Sequence, residues 1–299
     1  MSDAVRVVEV GPRDGLQNEA RAVAVPVRVA LIERLAKCGL RTIETGSFVS
    51  PKWVPQMADT DQVLANLHRK PGVSYPVLVP NLQGLEAALA AGAQEIAVFT
   101  AASDAFNQRN INATVSESLE RLAPVIAQAT AKGVRARAYV STVLGCPYQG
   151  DVALGEVVRV ARELVSFGCY EISLGDTIGV GTPRKALAMW RACAAEIPKE
   201  NLAVHFHNTY GQALANTYAC LEAGCRIVDA SIAGLGGCPY ADGASGNLAT
   251  EDLVYMLDGI GMDSGVDLEQ LTEVARWINR ELARAPTSKL ARVRKTAPA

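Results

Sequence analysis

The chain has no excess charge of either sign: 29 lysines and arginines face 31 aspartates and glutamates, for a formal net charge of -2. It therefore lacks the basic footprint of a nucleic-acid binder, and no nucleic-acid partner is expected. The basic run Arg292–Lys295 reads as a solvated tail. No apolar stretch is long enough to cross a bilayer, and Ala87–Ala93 is a small-residue helix face, so no membrane partner is expected. The seven cysteines include no pair at CxxC or zinc-finger spacing and fit free thiols in a reducing compartment. Strand-like sequence starts by Val5, leaving no room for a secretory leader, and cytoplasm is the expected location. Histidine is rare, with three residues in 299, so the place of each carries information.

What is present is a repeat of one unit. Eight β-like runs recur at Val5–Val10, Arg41–Gly46, Ser74–Pro80, Glu95–Thr100, Val134–Ser141, Glu171–Gly175, Leu202–His207 and Ile227–Ile232. Several are nearly continuous apolar stretches, as parallel strands covered on both faces require. Helical patterns lie between them: Val25–Lys37, a helix capped by Asn81, Thr114–Lys132, Val152–Phe167, one opening at Pro183, and Gly211–Glu222. Gly39, Gly92, Gly133, Gly168 and Gly224 each precede a new strand. The reading is an α/β protein, a (β/α)8 barrel, in one catalytic domain over 1–285; a doubly wound open sheet is the alternative. Asp267–Arg284 reads as an added C-terminal helix with Leu268, Leu271, Val274, Ile278 and Leu282 on its packing face, followed by a flexible tail over 286–299.

A barrel of this kind places its active site at the C-terminal ends of its strands, and those ends are rich in ionisable groups. The first leads into Arg13 and Asp14, the second holds Glu44 and runs to Ser47, the sixth carries Ser173 and Asp176, and the seventh carries His205 and His207. Residues two apart on a strand share a face, so the two imidazoles can grip one metal ion. Asp14 can supply the anionic third ligand, and such a mixed nitrogen and oxygen set suits Mg²⁺ or Mn²⁺. Arg13 can stabilise an enolate or carboxylate oxygen, with Glu44 and Asp176 orienting it or accepting a proton. The glycine-rich segment Gly234–Asn247 reads as a flap that presents one thiol, Cys238, for proton delivery. His68 reads as a surface residue.

The stretches Val8–Glu19, Gly46–Met57, Ser173–Pro183, His205–Asn216 and Gly234–Asp252 resemble the 3-hydroxy-3-methylglutaryl-CoA lyases, members of a metal-dependent lyase and condensing superfamily built on the TIM barrel. The resemblance covers about Val5 to Met262, and the loop around Cys238 is its most discriminating part. It implies cleavage of 3-hydroxy-3-methylglutaryl-CoA to acetyl-CoA and acetoacetate. It also implies Mg²⁺ or Mn²⁺ on the residues matching Asp14, His205, His207 and Asn247. Its catalytic groups match Arg13, Cys238, Glu44, Asp176 and Glu251. Ser47 and Ser173 are candidate acyl-CoA contacts, and a homodimer is left open. The first base is Asp14 or a neighbouring carboxylate. Asn208 departs from the pattern, since many relatives carry aspartate after the second histidine. Three other readings stand beside this one: the same chemistry on a longer 3-substituted 3-hydroxyglutaryl-CoA, a synthase condensing acetyl-CoA with a 2-keto acid, and a non-catalytic binding barrel.

Overall fold

A computed structural model of the chain describes residues 4–237 and 246–293. The strands are β1 (Arg6–Glu9), β2 (Thr42–Ile43), β3 (Gly46–Ser47), β4 (Val77–Leu78), β5 (Glu95–Ala101), β6 (Arg135–Ser141), β7 (Glu171–Asp176), β8 (Leu202–Phe206) and β9 (Ile227–Ala230). They pair in the order β2-β1-β9-β8-β7-β6-β5-β4-β3, each pair parallel. The two end segments are halves of one strand. β2 pairs with β1 and β3 pairs with β4, while Ile43 N donates to Ser74 O at 3.0 Å and Thr45 N to Pro76 O at 2.9 Å. The sheet therefore closes on itself as a TIM barrel. The single strand expected over Arg41–Gly46 is interrupted at Glu44 and Thr45, where the Glu44 side chain is held by groups of the site.

Helices fill the connections: α1 (Val25–Lys37), α2 (Thr60–Asn66), α3 (Leu82–Ala90), α4 (Asp104–Ile111), α5 (Val115–Ala131), α6 (Leu154–Ser166), α7 (Pro183–Ala194), α8 (Ala213–Glu222), α9 (Thr250–Gly259), α10 (Leu268–Glu281) and α11 (Lys289–Arg292). Their starts follow from local chemistry. The Asn81 carboxamide accepts from Gly84 N at 2.9 Å, and Thr114 and Glu117 form a reciprocal capping box on α5. Gly92 and Gly133 end α3 and α5 at φ values of 73° and 72°, a region where a side chain would be strained. The added C-terminal helix is α10, which buries Leu271, Val274 and Ile278 along one stripe. Within the stretch expected as a loose tail, α11 docks as far as residue 293, because Asp252 accepts the Lys289 and Leu290 amides at 2.9 Å each.

The main apolar core lies between strands and helices. The barrel interior is different. Two small apolar clusters, one of Val8, Val10, Ala203 and Ile227 and one of Leu78, Ala97 and Tyr139, share it with the buried ions Arg137, Glu171 and Asp229.

Candidate metal centre and active-site cavity

Asp14 reaches the barrel mouth because the chain leaves β1 in a single wide turn over Gly11–Gly15. Asp14 N and Gly15 N both donate to Val10 O, at 2.7 and 3.3 Å, and the turn projects Arg13 and Asp14 over the strand ends. His205 lies on β8, in register with Asp229 of β9, so both side chains point into the barrel. His207 follows on the same face, with the two imidazole centroids 5.3 Å apart. One donor atom from each of Asp14, His205 and His207 lies within 4.8 Å of the others.

These residues fit a divalent cation. Asp229 Oδ2 engages His205 Nδ1 at 3.3 Å, which orients the ring and leaves Nε2 free to ligate. His207 Nδ1 and Asn247 Oδ1 are buried without a hydrogen-bond partner among the described residues, a cost that a bound ligand removes. Asn247 Nδ2 donates to Asp14 Oδ2 at 2.7 Å, which places the carboxamide beside the cluster.

The electrostatics agree with that use. Burial pushes the Asp14 carboxyl up, but Arg13, His205 and His207 outweigh it and hold Asp14 below the ordinary carboxylate range. Burial, then the neighbouring His205, lowers His207 to about 4, so it is neutral and can ligate near pH 7. Burial also opposes charge on His205, yet Asp229 and then Asp14 raise it above the ordinary value. Arg13 is fixed on both sides: Nε donates to Glu44 Oε2 and Nη1 to Asp14 Oδ1, each at 2.8 Å, and the Tyr139 hydroxyl donates to Glu44 at 2.9 Å.

A cavity of about 1190 Å³ opens over this cluster, lined near the metal donors by Arg13, Asp14, Tyr139, His205 and His207. Farther out its walls are apolar at Val49, Trp53, Leu78 and Phe99, and basic at Arg109 and Arg121.

The structure thus brings together Arg13, Asp14, Glu44, His205, His207 and Asn247. It does not bring the other expected residues to the cavity. Asp176 turns behind its strand to accept Gly181 N at 2.8 Å, and burial raises its carboxyl to about 6; it makes no contact with Arg13. Glu251 is buried at the start of α9, accepts Ala233 N at 3.0 Å, and is raised by burial to about 7. The Ser173 hydroxyl donates to Asp229 Oδ2 at 2.6 Å inside the barrel, and Ser47 Oγ accepts Val49 N at 3.1 Å; neither lines the cavity. Cys238 lies outside the described residues. The two ends of its segment nearly touch: a Cβ on Gly246 would stand 2.6 Å from the Gly236 carbonyl carbon. Asn208 N donates to Gly246 O at 2.7 Å, and His207 bridges Asn247. His68 is exposed and pairs with Glu33 at 2.9 Å. The six described cysteines are free and buried.

Sequence reading missed Asp229 and Glu9. Both are acidic residues inside otherwise apolar strands, and that was the available signal. Glu9 accepts from Gly11 N and Ile232 N at 2.8 Å each and from Thr250 Oγ1 at 2.6 Å, tying the first strand to the last.

Barrel, donor cluster and cavity together define a TIM-barrel enzyme whose buried Asp14, His205 and His207 could coordinate a divalent cation. Residues 4–278 match the HMGL-like family model. Hydroxymethylglutaryl-CoA lyase of Bos taurus is 56% identical over 287 residues, 96% of this chain and 88% of that protein. A Pseudomonas aeruginosa protein named 3-hydroxy-3-isohexenylglutaryl-CoA/hydroxy-methylglutaryl-CoA lyase is 54% identical over 288 residues, 96% of each. A solved HMG-CoA lyase structure from Acinetobacter baumannii, in complex with coenzyme A and 3-methylmalate, superposes with a TM-score of 0.95 at 36% identity. It covers 100% of this chain and 99% of that one. The chain belongs to the hydroxymethylglutaryl-CoA lyase family and is a carbon–carbon lyase. The cytoplasmic expectation is corrected by the same comparison, because the Bos taurus relative and its vertebrate counterparts are named as mitochondrial enzymes. Among the described residues no helix is long and apolar enough to cross a membrane.

Proposed function

We propose that the site cleaves 3-hydroxy-3-methylglutaryl-CoA to acetyl-CoA and acetoacetate. The observation that carries this is the Asp14–His205–His207 cluster, with the braced Arg13 beside it, at the floor of a cavity large enough for an acyl-CoA head. Asp14, His205, His207 and Asn247 would hold the cation, Mg²⁺ or Mn²⁺ by donor type. When bound, it supplies Lewis acidity that makes the substrate's tertiary hydroxyl more acidic.

The chain's own groups do the rest. A carboxylate, Asp14 or its neighbour Glu44, takes the proton from the C3 hydroxyl. The C2–C3 bond then breaks, C3 becomes the ketone of acetoacetate, and the electron pair passes to the thioester enolate. Arg13, held rigid by Glu44 and Tyr139, stabilises the enolate oxygen. Cys238 returns a proton to C2 and completes acetyl-CoA. Asp176 and Glu251 act from outside the cavity: Asp176 braces the loop after β7, and Glu251, at the start of α9, braces the turn after β9. Ser47 and Ser173 likewise support the wall and His205 from behind.

A second reading keeps the mechanism and lengthens the acyl substituent. The apolar wall of Val49, Trp53, Leu78 and Phe99, together with the Pseudomonas aeruginosa relative's name, favours it as an additional substrate. The test supplies metal-stripped protein with Mg²⁺ or Mn²⁺ and follows acetyl-CoA release from the short substrate and from a longer analogue. Metal-dependent release from the short substrate, lost in Cys238→Ala, supports the first reading. Release from the longer analogue alone moves the specificity. Release from neither, with metal bound, refutes both. Light scattering on the same sample reads whether the chain forms a homodimer.

A further inference from the structure

A second cavity, of about 650 Å³, opens at the opposite end of the barrel, where the strands begin. Arg6, Arg41, Arg69 and Arg135 all line it, with the rings of Tyr75 and Tyr170 between them. They come from separate elements: Arg6 starts β1, Arg41 precedes β2, Arg69 lies in the loop after α2, and Arg135 starts β6. Four guanidinium groups around one opening repel one another unless anions offset them.

The local carboxylates account for only half of that charge. Glu95 accepts from Arg135 Nη2 at 2.6 Å, from Ser74 Oγ at 2.5 Å and from the Tyr170 hydroxyl, so its oxygens are in use. Glu171 takes Arg6 and also the fully buried Arg137. Arg69 has a carbonyl partner, Gly92 O at 2.9 Å, and no carboxylate among the described residues. Arg41 forms no ion pair among the described residues, and its Nη1 lies 3.6 Å from where a Cβ on Gly72 would stand. The glycine keeps that approach open.

We infer that the N-terminal end of the barrel carries an anion site for a phosphate-bearing small molecule. Donor forks arriving from several elements exceed what the two oxygens of one carboxylate can accept, whereas phosphate and diphosphate groups offer acceptors in several directions. The cavity is larger than one phosphate and falls in the size range of small-molecule sites, about 300–1,000 Å³. Arg6 makes the site more than a surface feature. Its partner Glu171 holds Arg137 Nε at 2.5 Å, Arg137 pairs with Asp229, and Asp229 holds His205 at the other end. An anion that recruits Arg6 alters the first link of a chain of buried ions ending on a metal donor. The inference stands independently of the substrate proposed above.

The test is calorimetric titration of the full chain with inorganic pyrophosphate, and separately with ADP, at fixed ionic strength. The active-site cavity also holds arginines, so two variants separate the sites. Saturable binding that weakens at least tenfold in Arg41→Gln/Arg69→Gln, and survives in Arg109→Gln, is expected. The double variant's unchanged circular dichroism and lyase rate without added anion confirm that it folds. Tighter binding of ADP than of pyrophosphate, lost in the same variant, assigns a nucleotide; equal binding assigns the diphosphate alone. Absence of saturable binding, or binding lost in Arg109→Gln and kept in the double variant, overturns the inference.

Discussion

The two ends of this barrel use the same residue types in opposite ways. At the strand starts, the buried carboxylates are saturated: Glu95 accepts from three side chains and Glu171 from two arginines. At the strand ends, Glu44 Oε1, Asn247 Oδ1 and His207 Nδ1 are buried at the candidate site without hydrogen-bond partners among the described residues. An unsatisfied buried polar atom costs about 1–3 kcal/mol, so three gathered around the candidate metal donors mark where stability is given up for chemistry. The saturated end supports the barrel, and the unsatisfied end leaves polar atoms open beside a cluster that could coordinate a metal ion.

That contrast can be broken most decisively at His207. His207→Ala is expected to abolish metal-dependent turnover and to leave the protein without stoichiometric metal, read by elemental analysis; full activity with metal still bound would move the centre elsewhere. Arg13→Ala should lower kcat by about 10²–10³, the usual cost of removing a fixed donor from a developing oxyanion. Metal content should stay normal in that variant. Asp229→Asn sits at the junction of the two ends and should weaken metal affinity about 10–100-fold, because His205 loses its orienting carboxylate. A metal titration of the variant reads this directly.

The effects on stability are smaller. Burial raises the Glu9 carboxyl from 4.5 to about 7, so the folded chain keeps a proton that the unfolded chain releases. Stability should therefore fall as pH rises from about 4.5 to about 7, by on the order of 3 kcal/mol for this group. Glu9→Gln should flatten that slope in urea titrations; an unchanged slope would assign it to Glu251, which shares the direction. At the saturated end, Glu95→Ala should cost about 1–3 kcal/mol of stability while kcat stays within about twofold. A large loss of kcat there would dissolve the distinction between the ends.

The difference between the ends also explains what the sequence made legible. Strand periodicity, helix caps such as Asn81 and the terminating glycines are local signals, and the barrel and its helices followed from them. His205 and His207 stood out because they are rare and two apart on a strand. Asp229 did not, because its role depends on Arg137, 92 residues away, and on a register that only the closed sheet creates. Asp176 was legible as an acid at a strand end, but its direction was not; the amide of Gly181 turns it behind the sheet. Helices α4 and α9 were missed; α4 is short and polar, and its start depends on the Ser103 hydroxyl accepting Phe106 N.

The near-contact of Gly236 and Gly246 has a consequence for inheritance. Gly236 and Gly246 stand against each other, while Asn247 is tied to Asp14 and Leu235 O, and the neighbouring Gly246 to Asn208 N. The described contacts that anchor Asn247 beside Asp14 therefore lie outside positions 238–245, so exchanges there that keep Cys238 can test new substrate preferences while those anchors are retained.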